Sequence, residues 1–166
     1  MAKVIKMDLD EKSIDKAIKE LERYKKQLDR KCNTLAKRLA DYGLTKATIS
    51  YATALYVGPQ DWKVSVKRTE HGYAVQASGK TVLLLEFGAG ITFGDGHPLN
   101  GEFGMGPGTY PDGKGHWNDP KGWYLPKSAG GGHTYGNPPS MAMYNTAEEL
   151  RGEIERIARE VFASNA

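Results

Sequence analysis

Residues 81–90, TVLLLEFGAG, join the most apolar run of the chain to its first glycine-rich turn, and one acid, Glu86, interrupts them. Val82 to Leu85 is long enough for a buried strand or for one to two turns of buried helix, which periodicity alone does not separate. We read a short helix in preference to a strand. A carboxylate closing such a run is costly to bury unless backbone N–H groups or a basic side chain bond to it. Three fates are open to Glu86: solvent, a partner within its own fold, or a donor on a neighbouring subunit. Phe87, Gly88 and Gly90 favour the close approach of another backbone, because glycine leaves room for it. Glu86 is therefore expected to be a structural or interfacial acceptor rather than a catalyst.

Upstream of this run, residues 46–81 alternate. Ile49 and Tyr51 alternate with Thr48 and Ser50, Val64 and Val66 with lysines and Ser65, and Tyr73, Val75 and Ala77 repeat the pattern. Gly58-Pro59, Glu70-His71-Gly72 and Ser78-Gly79 supply turns, so residues 46–87 read as a three-stranded antiparallel meander followed by the EFG run. Further upstream the period changes. Ile14, Ile18, Leu21, Leu28, Cys32, Leu35, Leu39 and Tyr42 recur at spacings of three, four and seven, broken only by Lys25. This stripe predicts a helix over 11–42, capped by Asp10 or Ser13 and ended by Gly43, about 45 Å long. That exceeds what a small sheet needs as cover. Its single seam, near a 3.5-residue period, suits a neighbouring helix in the same chain or in another subunit, with Leu28 and Leu35 at the contact. Lys3 to Leu9 alternates like a short strand or forms an ordered tail.

Downstream, residues 88–136 hold fifteen of the twenty glycines and five of the eight prolines, with Tyr110, Trp117, Trp123, Tyr124 and Tyr135 among them. A flexible linker has no use for these aromatics. The segment reads as an extended arm that orders against a partner, with a brief strand at Trp123 to Leu125. Pro138-Pro139 opens a last helix over 139–163, apolar along Met143, Ala147, Leu150, Ile154, Ile157 and Val161. The class is α+β: two helices packed on a small antiparallel sheet, with a long glycine-rich loop, in one domain of 166 residues.

Composition narrows the chemistry. The net charge of +3 is concentrated in residues 11–42, where ten Lys and Arg face six Asp and Glu. These charges interleave around the solvent face of the helix, as on a solvated surface rather than a nucleic-acid footprint. The single Cys32 forbids an internal disulfide. The opening MAKVIKMDLDEK lacks the apolar core of a signal peptide and no run approaches a membrane span, so the chain is expected in the cytoplasm of the cell that makes it. His71, His97, His116 and His133 lack ligand spacing, and no serine has a nucleophile-elbow setting. Glu86, Asp95, Glu102, Asp112 and Asp119 could supply paired carboxylates, yet acids among loop glycines ordinarily serve solvation. GEFGMGPGTYPDGKG is not a phosphate cradle, because Lys114 precedes a glycine within further loop. No catalytic residue, metal or cofactor is expected.

The order of these parts resembles the bacteriophage tail-component proteins, also called head–tail joining, neck or tail-completion proteins. The resemblance spans nearly the whole chain. It rests on the long charged first helix, the short meander, Glu86-Phe87-Gly88-Ala89-Gly90, the variable loop, and a last helix entered through Pro139 and Met141 to Tyr144. Ala77-Ser78-Gly79, Gly106 to Pro111, Gly122-Trp123-Tyr124 and Thr134-Tyr135-Gly136 look like a subgroup with a long glycine-rich insertion. Many relatives carry an Ala-Pro-x-Asp-Thr-Gly turn after the first helix, where Tyr42-Gly43-Leu44-Thr45 stands here. The resemblance implies a non-enzymatic virion protein, assembled in the bacterial cytoplasm into a homo-oligomeric ring, a hexamer or dodecamer, of the tail or neck. Its partners would be the connector or adaptor and the tail terminator or tube, with passive contact with DNA in the channel and none with a membrane. A regulatory binding module and a tail-associated cell-wall hydrolase are the alternatives.

Overall fold

Glycine at position 43 does not end the first helix. In the computed structural model, which describes residues 5–6, 8–56, 58–93, 96–105 and 119–163, helix α1 spans Glu11–Ala52, about 63 Å. Asp10 caps it, its carboxylate accepting the Ser13 N–H at 3.0 Å. Gly43 is buried in the helix interior because the last helix crosses there, and a Cβ would come 3.0 Å from Leu150 and 3.1 Å from Val75. Ala40, Gly43, Ala47 and Tyr51 form the buried face of this part of α1. The alternation of Thr48, Ile49, Ser50 and Tyr51, expected to be a strand, is thus helical. A three-four-four spacing of small residues ending in Tyr51 outweighs a four-residue alternation, because it matches a surface that α1 buries.

With that strand gone, the meander is a hairpin. Strands β1, Lys63–Thr69, and β2, Gly72–Ser78, pair antiparallel from Lys63 with Ser78 to Thr69 with Gly72. Val64, Val66, Tyr73, Val75 and Ala77 are half-buried on one face, against α1. Among the described residues before α1, none is in a strand.

TVLLLEF resolves as helix α2, Val82–Phe87. Asp61 fixes its start, accepting from Thr81 Oγ1 at 2.6 Å, Thr81 N at 3.0 Å and Lys80 N at 2.9 Å. These bonds, the Thr81 hydroxyl first, hold the Asp61 carboxyl below its ordinary range. Leu85 packs with Tyr51 and Ala142 in the central core, flanked by Trp62, Val64, Ala77 and Met143.

The described parts of the glycine-rich segment fold back onto this body instead of extending from it. Ala89 and Asn137 exchange two backbone hydrogen bonds of 3.0 Å. His97 and Met105 are buried, and the brief strand β3, Trp123–Tyr124, pairs with β4, His133–Thr134. The reason is packing: His97 and Phe103 lie on the Phe87 ring, with centroids 4.2 and 5.6 Å away. Tyr110 and Trp117 lie outside the described residues. The last helix, α3, spans Ala142–Ala163 and so starts after the prolines. The fold is α+β, with α1 and α3 antiparallel over a hairpin and α2 beneath the start of α3.

Candidate functional site

Helix α2 is six residues long, so each of its ends leaves backbone groups to be satisfied from outside the helix. Residues 137–141 do this at its C-terminal end. Asn137 Nδ2 donates to the Leu84 carbonyl at 2.9 Å, Ser140 N–H to Leu85 at 2.7 Å, and Met141 N–H to Glu86 at 3.2 Å. Gly88 and Gly90 take positive φ of 78° and 81° in the turn that permits this approach. A side chain at Gly88 would meet the backbone of Asn137 and Pro139, and one at Gly90 would collide with the Tyr135 carbonyl. The backbone expected to approach these glycines is therefore the chain's own.

The Glu86 side chain completes the junction. It is 6% exposed and accepts from the first N–H groups of α3: Met143 N at 2.9 Å to Oε2 and Tyr144 N at 2.9 Å to Oε1. A carboxylate at this end of α3 satisfies two orphan donors and faces the positive end of the helix dipole. Tyr51 donates its hydroxyl to Oε2 at 3.0 Å. His97 Nδ1 accepts the Leu99 N–H at 3.1 Å, which leaves the ring hydrogen on Nε2, 3.4 Å from Glu86 Oε1. Burial, and then the Glu86 charge, push the Tyr51 phenol well above its ordinary pKa, so Tyr51 remains a donor.

Both Glu86 oxygens are therefore engaged by donors of the same chain. Of the open fates, the structure gives the partner within the fold. The arrangement ties α2 to the start of α3, with Tyr144 on Oε1 and Met143 and Tyr51 on Oε2. One side of the junction opens on an apolar groove of about 700 Å³, lined by Val75, Ala77, Leu83, Phe87, Phe103 and Met143 among others.

The structure gathers Glu86, Phe87, Gly88 and Gly90 at this junction, with Trp123 over Gly90. Tyr124 and Tyr135 belong to a second cluster, each edge-on to His133 with centroids 4.9 Å apart, and both are exposed. Leu28 and Leu35 lie apart from both clusters on α1, Leu35 half-buried and Leu28 exposed. Sequence reasoning missed Tyr51 and His97. The Ala40-Gly43-Ala47-Tyr51 spacing carried the signal for Tyr51; nothing local carried one for His97. Among the described residues, no cluster of His, Cys, Asp and Glu is placed to hold a metal ion, and no helix is long and apolar enough to cross a membrane. No family model, curated protein or solved structure matches the chain.

Proposed function

We propose that this chain is a structural virion protein of a tailed bacteriophage or prophage that forms a ring at the head–tail interface and completes the tail or joins it to the head. The observation that carries this reading is the use made of Glu86-Phe87-Gly88-Ala89-Gly90. The element on which the family resemblance turns is a structural joint, its carboxylate engaged by the backbone of the helix entered through Pro139 and Met141 to Tyr144. A hydrolase acid needs an oxygen free to exchange a proton with substrate, and Glu86 has none. Ring subunits need a rigid body and elements that reach their neighbours. The spliced helices supply the first. The exposed half of α1 and the Tyr124–His133–Tyr135 cluster supply the second. The protein would act in the neck or tail, beside the connector or adaptor and the tail terminator or tube, without a cofactor.

Disrupting the gene in the phage or prophage that carries it tests the reading. Filled heads and separate tails should accumulate, and purified protein added to that lysate should restore joined, infective particles. Joined particles of normal infectivity in the disruptant would overturn it.

A further inference from the structure

Strand β2 has a free edge: among the described residues only β1 pairs with it. The two outer edges of this hairpin differ in chemistry. β1, KVSVKRT, carries Lys63, Lys67 and Arg68, charges of the kind that keep an edge from pairing with a further strand. β2, GYAVQAS, carries none. Two apolar hollows of about 340 and 700 Å³ lie along β2, and they share Val75, Met143 and Ala147, so they form one groove. Val75, Gln76 and Ala77 all line the larger hollow, and no β1 residue lines either. Successive residues of a strand point to opposite faces, so a wall built from three in a row is the strand's edge. Met143, Ala147 and Leu150 of α3 form the facing wall. Leu83 and Phe103, 43% and 58% exposed, stand at the end near α2. Unpaired backbone groups on one wall and apolar side chains on the other suit an extended strand.

The chain carries a segment of that kind. In residues 3–9, KVIKMDL, Ile5, Met7 and Leu9 alternate with Lys6 and Asp8, yet none of the described residues there is in a strand. Leu9 is 95% exposed, more than any other large apolar side chain described. This segment cannot serve its own groove. Helix α1 meets Val75 at Gly43, about 48 Å along the helix from Glu11, and seven extended residues reach about 25 Å at most.

We propose that residues 3–9 of a second copy add to the free edge of β2 as the third strand of its sheet. The ends of the groove set the direction. Ala77 and Val82 both line the larger hollow, so the connection from β2 to α2 bounds that end, while the hairpin turn before Gly72 leaves the other open. The incoming segment is continuous with a 42-residue helix that has to remain outside. Leu9 therefore lies at the Tyr73 end, and the strand runs antiparallel to β2. Leu9, Met7 and Ile5 then stand opposite Tyr73, Val75 and Ala77 on the apolar face, with Lys6 and Asp8 on the solvent face. Each copy gives one strand and receives one, a heterologous contact that closes a ring or extends a chain. It needs no phage component, so it stands or falls apart from the head–tail reading.

Sedimentation velocity on the full chain and two variants tests the exchange. Leu9→Asp damages the strand and Leu83→Glu the groove, and both residues are exposed within one copy, so neither change should move the melting temperature. The unaltered chain should self-associate, and each variant alone should do so roughly thirtyfold or more weakly. Mixed, the two should form a one-to-one dimer and stop there, because only one intact strand and one intact groove remain. Amide exchange over residues 73–77 should be slow in the assembled chain and faster in Leu9→Asp. A chain monomeric at about 100 μM would leave the groove to a strand of some other protein and overturn the proposal. Self-association that survives Leu9→Asp, a mixture that fails to pair, or exchange in β2 that assembly leaves unslowed would each overturn it too.

Discussion

Glu86 Oε1 accepts the backbone N–H of Tyr144 at 2.9 Å, across 58 residues of sequence. The bond makes one residue serve two helix ends, since the Glu86 carbonyl at the C-terminus of α2 accepts the Met141 N–H while its side chain caps the start of α3. Neither helix end closes without the other, and the hydrophobic centre, Leu85, Tyr51 and Ala142, is assembled around that joint.

Glu86→Gln keeps the shape and loses the charge. It should lower stability by about 1.5–3 kcal/mol, the usual worth of a hydrogen bond to a charged group. Glu86→Ala should cost more, because it strands the Met143 and Tyr144 donors and the Tyr51 hydroxyl in a buried site. Urea unfolding of the three proteins checks both. A wild-type midpoint for Glu86→Gln would mean that the charge adds nothing to the cap.

Two glycines inside helices should respond oppositely to alanine. Nothing stands within 4 Å of a Cβ at Gly152, so Gly152→Ala should raise stability by about 0.5–1 kcal/mol through helix propensity alone. At Gly43 the new methyl presses on Leu150 and Val75 and should forfeit that gain; Gly43→Val should lose about 1–3 kcal/mol by overpacking. Equal gains at both sites would show that α3 can move off α1 freely.

Truncation separates the core from the seam. Leu85→Ala, at a residue 1% exposed, should cost about 2–5 kcal/mol, whereas Leu28→Ala should cost well under 1 kcal/mol in the monomer. Unfolding at low protein concentration, where association does not contribute, is the measurement. Comparable losses would place Leu28 inside the folded body.

Tyr51 sets the behaviour in alkali. Its folded pKa is raised above the ordinary tyrosine value of 10.0, first by burial and then by the Glu86 charge. The sign follows directly. Below about pH 10 the phenol is neutral in both states and this site does not bend the stability curve; above it, the unfolded chain releases a proton that the folded chain retains, and stability falls with rising pH. Absorbance titration should find one tyrosine that ionises only on unfolding, and Tyr51→Phe should lack that component.

Residue order by itself determined the α+β class, the stripe of α1, the strands of the hairpin and the need of Glu86 for hydrogen-bond donors, while at TVLLLEF it left strand and short helix both open, the helix preferred. These are local properties: periodicity, turn chemistry and the cost of a carboxylate in an apolar run are legible within a few residues. Tertiary structure decided the rest. Gly43 has the chemistry of a helix end, and only the passage of Leu150 over it makes it a packing site. Tyr51 alternates like a strand residue until α2 and α3 supply the core and the Glu86 carboxylate that its ring and hydroxyl reach. Residues 88–136 read as an outward arm because nothing nearby in sequence could hold their aromatics. Phe87, which packs His97 and Phe103, and Gly90, which leaves room for Trp123, supply those surfaces only after the chain has turned back on itself. The backbone donors of Met143 and Tyr144 are separated from Glu86 by that whole segment, and Tyr51 reaches it from 35 residues upstream, so the residue's need for donors was readable from sequence and its partners were not.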